Sequence, residues 1–72
     1  MDLFLQKLAE ILEVDSVNET DILSSFDQWD SLTTLTIIAT IDADFNVNIS
    51  AEELATLITV RDLVAAIESK RK

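Results

Sequence analysis

Residues 31–45, Ser-Leu-Thr-Thr-Leu-Thr-Ile-Ile-Ala-Thr-Ile-Asp-Ala-Asp-Phe, admit few conformations. The run is long for a strand and shows no strict alternation, so its many β-branched residues do not outweigh a helical reading. At 100° per residue, Ile37, Ile38, Ile41 and Phe45 fall on one side, which predicts a core face. Leu32, Leu35 and Ala39 make a second apolar stripe along its flank, either more core or an edge where a partner docks. Thr33, Thr36 and Thr40 are left for solvent. Asp30 is placed to cap the run, its carboxylate accepting from the free amides of the first turn. Ser31 is then the first residue inside the helix, beside those amides and the positive end of the helix dipole. A phosphate ester there would have its charge stabilised by the same groups. Asp-Ser pairs also start many helices with no further role, and this pair alone implies nothing more.

The remaining segments read as shorter helices around that one. Residues 3–13 carry Phe4, Leu5, Leu8, Ile11 and Leu12 on one face, with Asp2 as a cap and Lys7 and Glu10 towards the polar side. Val14 to Trp29 is a long polar connector, of a length that is uncommon and often functional. Its four large apolar residues, Ile22, Leu23, Phe26 and Trp29, predict that it is pinned to the core through a short helical turn. Ser50-Ala51-Glu52-Glu53 is a capping box, with Ile49 and Leu54 placed as a hydrophobic staple. Thr59-Val60-Arg61-Asp62 repeats the pattern with Ile58 and Leu63. The third helix is therefore short, about 51–57. The fourth runs from Val60 to about Ser69 with Val60, Leu63, Val64 and Ile67 inward. Lys70, Arg71 and Lys72 follow where cations favour a helix C-terminus. The expected fold is all-α: a four-helix bundle with three longer helices, one short third helix and a long first connector.

At 72 residues the chain is expected to form a single domain spanning 1–72 and to be marginally stable, since cores of this size seldom supply more than about 3–5 kcal/mol. Its net charge of −9 steers cationic partners towards it and disfavours nucleic acid, whose phosphates need the opposite sign. At 49% hydrophobic it is too apolar for a disordered acidic tail. Histidine is absent, so no Ser-His-Asp or Cys-His relay can be assembled, and no catalytic residue is assigned. Glycine is absent, which excludes phosphate loops and dinucleotide fingerprints. Cysteine is absent, which excludes disulfides and thiolate metal sites. The N-terminal residues lack a secretion pattern, and no apolar run approaches the ~18 residues that span a membrane. A soluble, cytoplasmic monomer without membrane contacts is expected.

Two constellations could carry chemistry. From Asp42 through Asp44, Asn46, Asn48 and Ser50 to Glu53, oxygen-bearing side chains occupy alternate positions and glutamate the twelfth, as in an EF-hand calcium loop. Val47 stands where that loop's sharp turn needs glycine, and the spacing of Ile37, Ile41 and Phe45 carries the helix through the first two ligand positions. A calcium-binding helical module using Asp42, Asp44, Asn46, Asn48 and Glu53 is the alternative function, with weak electrostatic cation binding as its milder form. A plain acidic interaction domain is a third. The other constellation is Ser31. No base stands ready to activate it, so any reaction there needs catalysis from another protein.

Asp30-Ser31-Leu32 at the start of the second helix resembles the signature of the acyl carrier proteins. The resemblance extends through Ile41-Asp42-Ala43-Asp44-Phe45, Ile49-Ser50-Ala51-Glu52-Glu53-Leu54 and Thr59-Val60-Arg61-Asp62-Leu63, nearly the whole chain. It implies a non-enzymatic carrier. Ser31 would bear a 4′-phosphopantetheine arm, transferred from coenzyme A by a separate magnesium-dependent phosphopantetheinyl transferase. The arm's thiol would hold acyl intermediates as thioesters for partner enzymes of fatty acid, polyketide or related lipid biosynthesis. Carried over, Asp30 would orient the transferase and cap the helix. Leu32, Leu35, Ala39 and Asp42 would form the face gripped by acyl-transferring or chain-extending enzymes with basic docking patches, and the bundle could open to shelter an acyl chain. The chain departs from the family in two places. The glycine common before the triplet is replaced by Gln28 and Trp29. Thr33 and Thr36 stand where fatty-acid-synthesis carriers usually show acidic residues, which leaves a specialised carrier and a general one both open.

Overall fold

The computed structural model describes residues 2–71. Met1, Lys72 and the side chain of Asp2 lie outside the described residues, and with them the expected cap from Asp2 and the terminal cation of Lys72. Four α-helices follow in order: α1 (Asp2–Ile11), α2 (Ser31–Phe45), α3 (Ala51–Thr56) and α4 (Val60–Lys70). A single 3-10 turn, Leu23–Ser25, interrupts the connector between α1 and α2. The described residues thus form the all-α bundle expected from the periodicity, with a short third helix and a long first connector.

α1 stops at Ile11, two residues short of the expected 3–13 segment, because the chain closes it with a reverse cap. The amide of Glu13 donates to the Glu10 carbonyl (3.2 Å) and that of Val14 reaches back to Ala9 (3.0 Å). This is a Schellman arrangement, which needs a left-handed residue where glycine is preferred. With no glycine in the chain, Glu13 takes that place at φ 57°. The second left-handed residue is Asn46 (φ 55°), a type that tolerates the conformation well; it ends α2 with its amide on the Asp42 carbonyl at 2.9 Å.

The core is built from one stripe of each helix. Phe4, Leu8 and Leu12 from the first segment, Ile37 and Ile41 from α2, Leu54 from α3, and Val60, Leu63, Val64 and Ile67 from α4 are all buried. Each Leu, Ile or Phe sequestered in this way contributes about 1.5–3 kcal/mol. Val17, Val47 and Ile49 add to the core from the connecting segments. Around its rim, Lys7 pairs with Asp44 at 2.6 Å. The Phe4 and Phe45 rings meet edge to face with centroids 5.6 Å apart, and the Arg71 guanidinium sits 5.4 Å from the centre of Phe45. The end of α2 is thereby tied to both α1 and the end of α4.

Some local expectations are corrected. The capping box at α4 is complete: Thr59 accepts from the Asp62 amide, and the Asp62 carboxylate accepts from the Thr59 amide. At α3 only half of the box forms. Ser50 accepts from the Glu53 amide at 3.0 Å, but the Glu53 carboxylate pairs with Lys70 at 3.2 Å instead of turning back. Ile49 and Leu54 are both buried as a staple requires, whereas Ile58 is 63% exposed and does not clamp onto the buried Leu63. The backbone of Ile58 serves the connector, its carbonyl accepting from the Leu23 amide at 2.8 Å. The solvent assignment of Thr33 and Thr40 is also partial, since both are half-buried while Thr36 is exposed.

Candidate functional site

The connector delivers the chain to the start of α2 in a defined position. Leu23 is buried, and Phe26 and Trp29 pack partly against the core, while Ile22 remains 48% exposed. Three backbone hydrogen bonds lash this segment to the start of α4. Besides Leu23 to Ile58, the Val60 amide donates to Asp21 and the Arg61 amide to Glu19, both at 2.9 Å. Ile22 and Thr59 form an isolated antiparallel bridge. Three of the four expected side chains, Leu23, Phe26 and Trp29, therefore do pin the connector, and backbone bonds take the place of Ile22. These backbone ties have no signature in residue type, so apolar patterning could not reveal them.

Asp30 caps α2 as expected, with extended backbone and its carboxylate accepting from the Thr33 amide at 2.8 Å. That bond, then a weaker one from the Thr33 hydroxyl and a smaller one from the Leu32 amide, holds its carboxyl below the usual carboxylate range, against a slight opposing effect of burial. Ser31 follows as the first residue of α2 and is exposed. Its position offers a hydroxyl to solvent at the positive end of a four-turn helix, a setting that favours an attached phosphate ester. Thr34 bonds back to the Ser31 carbonyl at 3.0 Å, so the first turn is firmly closed.

The second stripe of α2 is surface, not core. Leu32 is 74% and Leu35 57% exposed, and Ala39 and Asp42 are exposed beyond them. Ser31, Leu35 and Asp42 lie within about 40° of one another around the helix, with Ala39 and Leu32 adjoining. Large apolar side chains are thus left in water on one face beside the Ser31 hydroxyl, a patch of the kind at which proteins associate.

The calcium alternative fails on geometry. α2 runs unbroken through Asp42 and Asp44, Asn46 terminates it, and Val47 is buried without the positive φ that an EF-hand turn requires. Asp44 is held by Lys7 and Glu53 by Lys70. Asn48 is exposed beyond the helix end. Among the described residues no three carboxylates converge where they could hold a metal ion.

Comparison with known proteins agrees with this geometry. Residues 2–67 match the family described as phosphopantetheine attachment site. The chain is also similar in structure to holo acyl carrier protein from Geobacter metallireducens, solved by solution NMR. The TM-score is 0.77 at 21% identity, over 96% of this chain and 82% of that one, a likeness of fold. No curated protein matches the chain.

Proposed function

Since this chain belongs to the phosphopantetheine attachment site family, we propose that Ser31 is the residue that receives the arm. Membership makes the chain a non-catalytic carrier of covalently bound 4′-phosphopantetheine, whose thiol holds acyl groups as thioesters. The observation that carries the assignment to Ser31 is its exposed hydroxyl on the first turn of α2, inside the matched span. The residues present fit the group: the hydroxyl is open to an incoming transferase, and the helix terminus favours the phosphodiester charge. In loading, the Ser31 oxygen bonds to the phosphorus that bears the pantetheine as the pyrophosphate bond of coenzyme A breaks and adenosine 3′,5′-bisphosphate leaves. The hydroxyl proton passes to a base supplied by the transferase, because none is built into this chain. Asp30, fixed by the first-turn amides, holds the Ser31 backbone in the orientation that the transferase meets.

Delivery follows from the exposed stripe of Leu32, Leu35 and Ala39, with Asp42 beyond, as the surface that acyl-transferring and chain-extending enzymes grip. Between Lys7 and Arg61 the sequence holds no Lys or Arg, so a long negative field steers basic partners inward and lets them leave readily. The pathway is one of fatty acid, polyketide or related lipid assembly. Thr33 and Thr36 in place of acidic residues favour a specialised member of that set, working in the cytoplasm as a single 1–72 domain.

The test is to incubate the purified chain with coenzyme A, magnesium and a broad-specificity phosphopantetheinyl transferase and to take an intact mass. A gain of one phosphopantetheine that maps to Ser31 and disappears in Ser31→Ala, with the helical spectrum retained, is expected. A folded chain with neither a gain nor an arm already attached defeats the assignment.

A further inference from the structure

Along α2 the negative charge is confined to the two ends of the exposed stripe beside Ser31. From Ser31 to Ile41, α2 carries no charged residue. The nearest carboxylates on the helix are Asp30, bound to the Thr33 amide, and Asp42, about 16 Å along the axis at 1.5 Å per residue. Between them the exposed side chains are Leu35, Ala39 and Leu32, progressively further around the helix from Ser31, and Thr36 beside Leu32 at the edge of that stripe. The threonine hydroxyls add little polarity, because their protons are already spent. Thr36 donates to the Leu32 carbonyl at 3.1 Å, Thr40 to the Thr36 carbonyl at 2.9 Å and Thr34 to the Ser31 carbonyl at 3.0 Å.

From this charge pattern, and building on the assignment of Ser31, we infer that enzymes acting at Ser31 dock on this helix through an uncharged apolar hollow rather than a basic patch. Attraction and contact are divided between two parts of the molecule. The acidic connector, with Asp15, Glu19, Asp21 and Asp27, supplies long-range steering, which sets the encounter rate. The first three turns of α2 supply a dry contact, in which Leu32 and Leu35 are the anchors. A lysine or arginine brought against the middle of this face, between Asp30 and Asp42, would lose its water and find no carboxylate on the helix, a desolvation cost without return. Such a face selects its partners by excluding those built for an acidic helix.

The sign of an introduced charge distinguishes the two modes of docking. Thr36 is exposed, so Thr36→Glu and Thr36→Lys are expected to leave the fold intact, checked by circular dichroism and urea titration. The readout is kcat/KM for loading of the full chain by a broad-specificity phosphopantetheinyl transferase, the probe enzyme, with coenzyme A as donor. Both substitutions are expected to lower it by about tenfold, as is Leu35→Ser, because each puts a solvated group into an apolar contact. A basic docking surface predicts the opposite for one of them: Thr36→Glu speeds loading while Thr36→Lys slows it. That asymmetry overturns the inference, as does indifference to all three changes. In either case wild-type loading at Ser31 still stands, whereas absence of any wild-type loading defeats the carrier assignment itself.

Discussion

Asp30 and Asp62 occupy the same kind of place at the starts of α2 and α4, and each has its carboxyl held below the usual carboxylate range. For Asp30 the Thr33 amide is the main cause; for Asp62 it is the amide of Thr59, followed by that of Ile58. A group whose pKa is lower folded than unfolded stabilises the fold fully above its unfolded value, ~3.9 for aspartate. That stabilisation is lost as pH falls through the folded value. The lead in urea midpoint of the wild-type chain over Asp30→Asn/Asp62→Asn is therefore expected to hold steady from neutral pH down to about pH 5 and to shrink below pH 4. In Asp30→Asn/Asp62→Asn the acid-induced loss should be visibly smaller; an unchanged loss would assign it to other carboxylates. Ser31 itself shows why residue type alone underdetermines a site. An aspartate before a serine is a common helix start, and the ordered set of matches along the chain is what distinguishes this one.

At the scale of elements, the connector is the part that carries most of the difference between expectation and structure. Its length and its four apolar residues announced that it would be pinned, but Leu23 alone is fully buried, and its neighbour Ile22 faces water. Leu23→Ala is expected to cost about 2–5 kcal/mol, because it empties a closed site next to the start of α4. Ile22→Ala should cost much less than its neighbour. Equilibrium urea denaturation of the two variants decides this, and equal losses would show that the backbone ties, not Leu23, hold the segment. The extent and the core face of α2 were legible by contrast, since its length and apolar spacing leave one face for the core. The fate of its second stripe was not, because a helix cannot specify how many sides its neighbours will cover.

For the whole molecule, the radius of gyration of 10.9 Å matches the about 11 Å expected of a packed domain this size, so the long connector does not swell it. Compactness is reached against a net charge of −9, with two ion pairs, Lys7–Asp44 and Lys70–Glu53, among the described residues. Such exposed pairs contribute at most about 1 kcal/mol each. Self-repulsion therefore dominates, and the melting temperature is expected to rise between 20 mM and 500 mM sodium chloride as the Debye length shortens. A gain of 1 kcal/mol corresponds to roughly 4–8 °C in a domain of this size. A fall with salt would mean that the ion pairs outweigh the repulsion.

Local and periodic information was enough to determine the helical class, the starts of α2, α3 and α4, and the serine set at the head of the longest helix. Those properties depend on residues within a turn or two of one another: caps, staples and the 3.6-residue repeat. The tertiary structure decided what depends on distant partners. It turned Glu53 to Lys70 and Asp44 to Lys7, dissolving the calcium loop, and left Ile58 exposed so that its carbonyl could hold the connector. It also left Leu32 and Leu35 in water, because the other helices cover only the opposite side of α2. Burial is a property of what surrounds a residue, and the chain reveals its surroundings only once it has folded.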